Sequence, residues 1–329
     1  MFEEIVEGFV KGEKRALSKA ISFVERFPDK AHLLISEISK KTGRNLISED
    51  IYILGITGPP GIGKSTLVSQ LLKRIKGGVI LCDPSSVKVE GGAILGDRIR
   101  IHIESSSSEE NGGKNGVFIR SIGTRGEKGG ISVNTNDIIN LYILFGFKNI
   151  IIETAGTGQT ETEISKIADT VILVLSPESG DEIQFMKSGI LEIADIIVLN
   201  KADRPMADRI YNEIRIALDT AHMVMSGIGK DIKWKPPIIK TIAKDGVGID
   251  ELMLAIEQHK DFLKNSNYIL EKRKERVERD FVSGLTKKIF EVLENLQIYR
   301  KVRNEVLEGK KDPYSAIEEV YKFISQKMS

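Results

Sequence analysis

Gly58-Pro59-Pro60-Gly61-Ile62-Gly63-Lys64-Ser65-Thr66 places a glycine, four residues and then Gly-Lys-Ser in one short stretch. That spacing suits a loop that cradles phosphate. The glycines let successive backbone N–H groups turn inward onto phosphate oxygens, and a helix N-terminus behind them adds partial positive charge. Lys64 would reach the β- and γ-phosphates, and the Ser65 hydroxyl would ligate Mg²⁺. The chemistry needs a strand in front and a helix behind. Residues 51–57 read as a buried strand and residues 67–75 as a helix.

A phosphate loop does not say which base is bound. Asn200-Lys201-Ala202-Asp203 follows an apolar run at 195–199 and has the form Asn-Lys-x-Asp. A carboxylate at Asp203 can accept from guanine N1–H and the exocyclic amino group together. Adenine offers neither donor, so ATP is disfavoured by roughly tenfold or more. Asn200 would hold the loop and approach N7, and the Lys201 stem would cover the base. Thr241-Ile242-Ala243-Lys244 ends the next strand. In GTPases the corresponding loop gives a backbone N–H to guanine O6, which would be that of Ala243; an ordinary turn is the competing reading.

Glu153-Thr154-Ala155-Gly156 follows the strand at 149–152 and varies the Asp-x-x-Gly switch pattern, with glutamate for aspartate. Its carboxylate can hold Mg²⁺ through water, and the Gly156 N–H can meet the γ-phosphate, so the loop would sense whether that phosphate is present. In Ras-type GTPases a glutamine directly follows this glycine and positions water. Here Thr157 stands in that place and the glutamine is Gln159. Asp83 and Asp97 could both approach Mg²⁺ or its waters, or serve as caps and turns. Arg98, Arg120 and Arg125 are candidates for an arginine finger, none of them marked out by spacing.

The elements that must carry these motifs alternate. Strands are expected at 51–57, 78–83, 149–153, 170–175, 195–199 and 237–241, and helices at 64–76, 134–146, 181–193, 205–225 and 249–262. Runs such as Val171-Ile172-Leu173-Val174-Leu175 suit parallel strands covered on both faces. The expected fold is α/β, a doubly wound, mostly parallel sheet of the P-loop NTPase kind. Every motif falls at a strand end. Short strands are also candidates at 98–103 and 117–120, with a polar loop at 104–115 between them.

Residues 1–45 read as a helical extension, with breaks at Val10-Lys11-Gly12 and Pro28. Residues 46–262 form the nucleotide domain. Residues 263–329 are charged and helical, and Val277, Phe281, Leu285, Ile289, Val292 and Leu296 recur at steps of three and four. That stripe must be buried, either on the parent domain or in a homodimer. The basic cluster at 272–276 is interleaved with glutamates and reads as a solvated face.

Composition excludes several classes. Net charge is +1 among 329 residues, which argues against a nucleic-acid or anionic-membrane partner. The single cysteine, Cys82, rules out a disulfide framework and reads as a buried small hydrophobe. His32, His102, His222 and His259 lack metal-site spacing, and Trp234 has no evident role. The N-terminus lacks a secretory signal and no apolar run approaches a membrane span, so a cytoplasmic location is expected.

Beyond the general GTPase motifs, the chain resembles the MeaB/ArgK family of GTPases, which includes the human methylmalonic aciduria type A protein. The blocks that carry the likeness are Cys82 to Ser86, Gly91 to Arg98, Phe118 to Ser121, Thr124 to Gly126, Glu153 to Gln159, Gly180 to Glu182 and Asn200 to Asp203. The resemblance implies a SIMIBI-class GTPase that binds GTP/GDP and Mg²⁺. It implies a homodimer through C-terminal helices and a chaperone role toward adenosylcobalamin-dependent methylmalonyl-CoA mutase, gating cofactor loading and protecting the enzyme. On this likeness Lys64 and Ser65 bind phosphate and Mg²⁺, and Asp83, Asp97 and Glu153 surround the metal and the attacking water. Residues 177–184 become a further switch that senses the mutase. A nickel-delivering metallochaperone lacks its His- or Cys-rich tract here. An amino-acid transport ATPase or kinase fits poorly with a guanine-reading Asp203. Residues 105–115 depart from the family's pattern.

Overall fold

Every residue of Tyr52–Thr57 (β1) and Thr170–Leu175 (β5) is buried, the pattern of strands covered on both faces. They lie in a seven-stranded parallel sheet with Gly78–Asp83 (β2), Phe118–Gly123 (β3), Asn149–Glu153 (β4), Ile196–Leu199 (β6) and Ile238–Lys240 (β7). The strand order is β3-β2-β4-β1-β5-β6-β7. The computed structural model describes residues 2–48, 50–83, 116–123, 134–154, 156, 160–178, 190–227, 234–266 and 268–328, without the side chains of 83, 123, 160–162, 222, 224–227 and 327–328.

Alternate residues of the strands feed separate cores. Ile53, Ile80, Ile150 and Ile152 face one side and meet the helices Phe2–Val10 (α1), Lys14–Arg26 (α2), Ala31–Thr42 (α3) and Thr135–Phe145 (α5). Tyr52, Leu54, Ile56, Ile151 and Ile172 face the other and meet Lys64–Leu72 (α4) and Ile249–Asn265 (α8). Leu173, Leu175, Ile197 and Leu199 pack on Ala207–Gly227 (α7). The N-terminal extension is therefore a structural wall: α1 packs on α2 and α3, which both contact α5, and the Phe9 and Phe145 rings meet edge to face at 5.3 Å.

The helix Thr160–Ile167 (α6) was not expected from the sequence. Its residues are mostly polar, so no apolar period marks it. Ile164 is its buried anchor, and it presses so closely on β1 that a β-carbon at Gly55 would lie 2.6 Å from Ile164. The charged, helical C-terminal region consists of Tyr268–Glu294 (α9), Gln297–Leu307 (α10), set apart from α9 because Leu296 adopts extended backbone, and Pro313–Met328 (α11). The short strand expected at 117–120 is β3, which lies at the edge of the sheet. The strand at 98–103 and the loop at 104–115 lie outside the described residues. So does most of the helix at 181–193, of which Ile190–Ile193 forms a 3₁₀ turn.

The chain divides into two compact units, Met1–Lys274 and Glu275–Ser329. No described helix is long and apolar enough to cross a membrane.

Candidate nucleotide site

Because all strands are parallel, their carboxyl ends share one edge, and the order reverses around β1. Ligands of such sheets sit at that crevice. The phosphate loop leaves β1 there. Gly58, Gly61 and Gly63 have φ of 138°, 79° and 95°, so the glycine spacing is required by backbone geometry. Gly58 also runs against β5: a β-carbon there would be 2.1 Å from the Val174 carbonyl oxygen. Pro59, Pro60 and Gly61 form the outer, partly exposed rim, while Ile62 is buried and anchors the loop in the core. Lys64 opens α4, and its ammonium donates to the carbonyls of Gly58 and Pro59, at 2.8 Å each. It therefore folds back over its own loop. Ser65 and Thr66 follow in the first turn of α4.

β4 runs beside β1, with Glu153 in register with Ile56. That pairing carries the switch segment to the phosphate loop. The Thr154 N–H donates to the Ile56 carbonyl at 3.0 Å, and the Thr57 and Thr154 hydroxyls are 2.8 Å apart. The Ser65 hydroxyl donates to Glu153 Oε1 at 2.7 Å. Gly156, at φ 75°, lies against Gly58: a β-carbon on it would be 1.9 Å from the Gly58 oxygen and 3.1 Å from Lys64 Nζ. Only glycine fits this contact.

The Ser65 hydroxyl and the Glu153 carboxylate are hard oxygen donors brought to hydrogen-bond distance, a pair that fits Mg²⁺ together with phosphate and water. Asp97 and the side chain of Asp83, the other proposed metal residues, lie outside the described residues, although Asp83 ends β2 on the same sheet edge. Among the described residues no group of three or more His, Cys, Asp or Glu could hold a metal ion. Thr157, Gln159, Arg98 and Arg125 also lie outside. Arg120 is engaged elsewhere: it donates to Ser22 Oγ at 3.2 Å and pairs with Glu25, both on α2. As an arginine finger it is corrected to a tie between the sheet edge and the N-terminal helices.

On the base side, Asn200 is almost wholly buried and fastens three loops. Its side-chain amide donates to the Ile62 carbonyl at 2.8 Å, and its Oδ1 accepts from the Thr241 hydroxyl and the Ala243 N–H, both at 3.0 Å. The Ala243 N–H expected at guanine O6 is thus directed at Asn200. The reason is local: the β7 loop closes on itself through the Ile242–Val247 bridge, which turns that N–H toward Asn200. Gln70 of α4 bonds the Ala243 carbonyl at 2.9 Å and braces the same loop. Lys201 holds a left-handed φ of 55°, and Asp203 is half-exposed.

The amino ends of the strands carry a second polar cluster that sequence reasoning missed. Thr170 Oγ1 lies 2.7 Å from His259 Nδ1, His259 Nε2 is 3.4 Å from Asp195, and the Tyr52 hydroxyl bonds Thr170. Trp234 donates to the Asp195 carbonyl at 2.8 Å, and its ring lies 4.6 Å from that of His259, tilted by 52°. Burial pushes the His259 ring down to about 3 and Asp195 up to about 6. The hydroxyl–imidazole–carboxylate order resembles a nucleophile relay, but Thr170 and His259 are sealed in the core, remote from the nucleotide edge, so the cluster is structural. Cys82 is buried as expected, and burial raises its thiol to about 12.

Comparison with known proteins agrees with this geometry. A family model described as methylmalonyl-CoA mutase-associated GTPase MeaB matches residues 17–296. An inferred GTPase of Pyrococcus horikoshii is 43% identical over 322 residues, 95% of this chain and 95% of its own. The mitochondrial methylmalonic aciduria type A homolog of Mus musculus is 33% identical over 263 residues, 76% of this chain and 61% of its own. A crystal structure of an LAO/AO transport system kinase is similar with a TM-score of 0.60 at 25% identity, covering 98% of this chain and 97% of that one. The chain belongs to the MeaB family, and it is a guanine-nucleotide-binding enzyme that hydrolyses GTP.

Proposed function

We propose that this GTPase is a chaperone of adenosylcobalamin-dependent methylmalonyl-CoA mutase, gating the loading of its cofactor and protecting it from inactivation. The observation that carries the reading is the contact of Gly156 on Gly58, next to the Ser65–Glu153 hydrogen bond. A γ-phosphate in the loop displaces Lys64 from its own carbonyls and recruits Gly156. The nucleotide state is thereby written into the segment after β4, where a partner can read it. The family's description and the mouse relative's name support the mutase as that partner.

In this reading the backbone of 58–66 and Lys64 bind the phosphates, and Ser65, Asp83, Asp97 and Glu153 hold Mg²⁺ and its waters. Mg²⁺, when bound, neutralises phosphate charge. Lys64, Asp97 and Glu153 act on the transferring phosphoryl group and the attacking water. Asn200, Lys201, Asp203 and the Ala243 loop form the base site. Turnover by the protein alone is slow and is raised by a partner that orders the loops, because no arginine of the sequence is marked out as a finger by its spacing. The protein works in the cytoplasm.

Residues 1–45 are the helical extension, 46–262 the GTPase domain and 263–329 the dimerisation segment. Phe281, Leu285, Ile289 and Val292 of α9 remain 47–66% exposed, which supports a homodimer seam on that stripe.

The test is GTP hydrolysis by the purified protein with and without the same organism's mutase, with ATP as control. Stimulation seen with GTP only is expected. Hydrolysis indifferent to the mutase would remove that partner, and ATP competing equally with GTP would favour the transport-kinase reading.

A further inference from the structure

Glu178 lies in the 177–184 segment that the family likeness makes a further switch, outside the phosphate-loop and Asn-Lys-x-Asp motifs, yet it sits among the base-reading residues. Lys201 Nζ donates to its Oε2 at 2.8 Å, and Arg204 Nε lies 3.1 Å from its Oε1. The same Arg204 Nε is 3.8 Å from Asp203 Oδ2. The juxtaposition follows from the sheet. Glu178 stands just beyond the end of β5 and Lys201 just beyond the end of β6, which are neighbours in parallel.

Backbone bonds fix both turns. The Glu178 N–H donates to Ser176 Oγ, Asn200 N–H to the Leu175 carbonyl, Ala202 N–H to the Thr241 carbonyl and Arg204 N–H to the Lys201 carbonyl. Lys201, on its left-handed backbone, pins one oxygen of Glu178 and leaves the other facing Arg204. The Lys201 hydrogen bond holds the Glu178 carboxyl below its ordinary range, so it is charged at neutral pH.

Guanine N1–H and the exocyclic amino group need the same lone pairs of Asp203 that a guanidinium would take. Arg204 is the cation beside that carboxylate, and Glu178 pulls it the other way. We infer that Glu178 is a positioning residue for guanine recognition, which holds Arg204 off Asp203 so that the carboxylate is open to the base. This rests on Asp203 being the base contact.

The effect is that of an exposed ion pair, so release of Arg204 weakens guanine nucleotide binding about two- to fivefold at low ionic strength and less in high salt. The experiment uses the full chain and equilibrium titration with GDP and with xanthosine diphosphate (XDP). Glu178→Gln should weaken GDP by that factor, and adding Arg204→Ala should restore it. In an Asp203→Asn background, which prefers XDP, Arg204 has no carboxylate to close on. Glu178→Gln should then leave XDP affinity unchanged. A merely structural role would weaken both nucleotides and resist rescue.

Unchanged GDP affinity in Glu178→Gln, a loss that Arg204→Ala does not relieve, or an equal loss for XDP in the Asp203→Asn background each overturns the inference. Failure of Asp203→Asn to exchange GDP for XDP would instead remove Asp203 from the base site, and the inference would fall with it.

Discussion

Arg273 donates to both carboxylate oxygens of Asp169, from Nε to Oδ1 at 3.1 Å and from Nη2 to Oδ2, with the two side chains 1% and 3% exposed. Asp169 also accepts from the Ile53 N–H, and Arg273 from the start of α9 reaches the carbonyls of Ser48 and Ile51. The pair joins β1, β5 and the root of α9 at the sheet's amino edge. Removing one partner strands a buried charge, so Arg273→Met is expected to cost about 3–5 kcal/mol of stability. Urea denaturation checks this, and a loss below about 1 kcal/mol would mean the pair is solvated.

Gly156 has no room for a β-carbon against the Gly58 oxygen. Gly156→Ala must push the switch segment off the phosphate loop. Misplacement on the order of an ångström lowers turnover by up to about a hundredfold, so GTP hydrolysis should fall by that order while the fold persists. Lys64→Ala should abolish hydrolysis. Full activity in either variant would refute the assignment.

Asn200 and Asp203 stand in one motif but should fail differently. Asn200→Ala leaves the Ile62 carbonyl and the Thr241 and Ala243 donors without their partner, a destabilisation of about 2 kcal/mol or more. Asp203→Asn, half-exposed, should leave the melting temperature unchanged, weaken GTP and admit xanthosine triphosphate. Thermal melts and nucleotide competition separate the two effects.

His259 and Asp195 make opposing contributions to stability against pH. His259 stays neutral in the fold down to about 3, while the unfolded chain takes its proton near 6.5. The unfolded state binds more protons across that window, so this contribution is lost as pH falls from 6.5 toward 3. Asp195 is raised to about 6 from 3.8, so the fold keeps a proton that the unfolded chain has released. That contribution is lost as pH rises from about 4 through 6, and the two offset between. Asp195→Asn should therefore lose stability more steeply than the parent on going from pH 6.5 to 4.5. Parallel losses in denaturant titrations would refute the coupling.

The α9 stripe gives a test of assembly. Ile289→Asp places a charge on an apolar face that is half-exposed in the single chain. The proposed dimer should dissociate by sedimentation, with the GTPase domain still folded. A parent chain that sediments as a monomer would remove the dimer.

How much the sequence by itself determined depends on whether the signal was local. The phosphate loop was legible because glycine at 58, 61 and 63 answers to positive φ, a backbone demand met within the loop. The strands were legible because a sheet covered on both faces needs unbroken apolar runs. Tertiary structure alone decided the rest. α6 carries one buried anchor among its described side chains and no apolar period, so only its packing on Gly55 reveals it. Arg120 looked like a candidate at the phosphates until the fold set Glu25 of α2 against it. Trp234, His259, Asp195 and Thr170 are scattered along the chain and meet only because parallel strands gather their amino ends at one edge and α8 lays His259 against that edge. Glu178 and Arg204 converge for the same reason at the other edge: neighbouring parallel strands deliver their following turns side by side, and no spacing along one chain encodes that meeting.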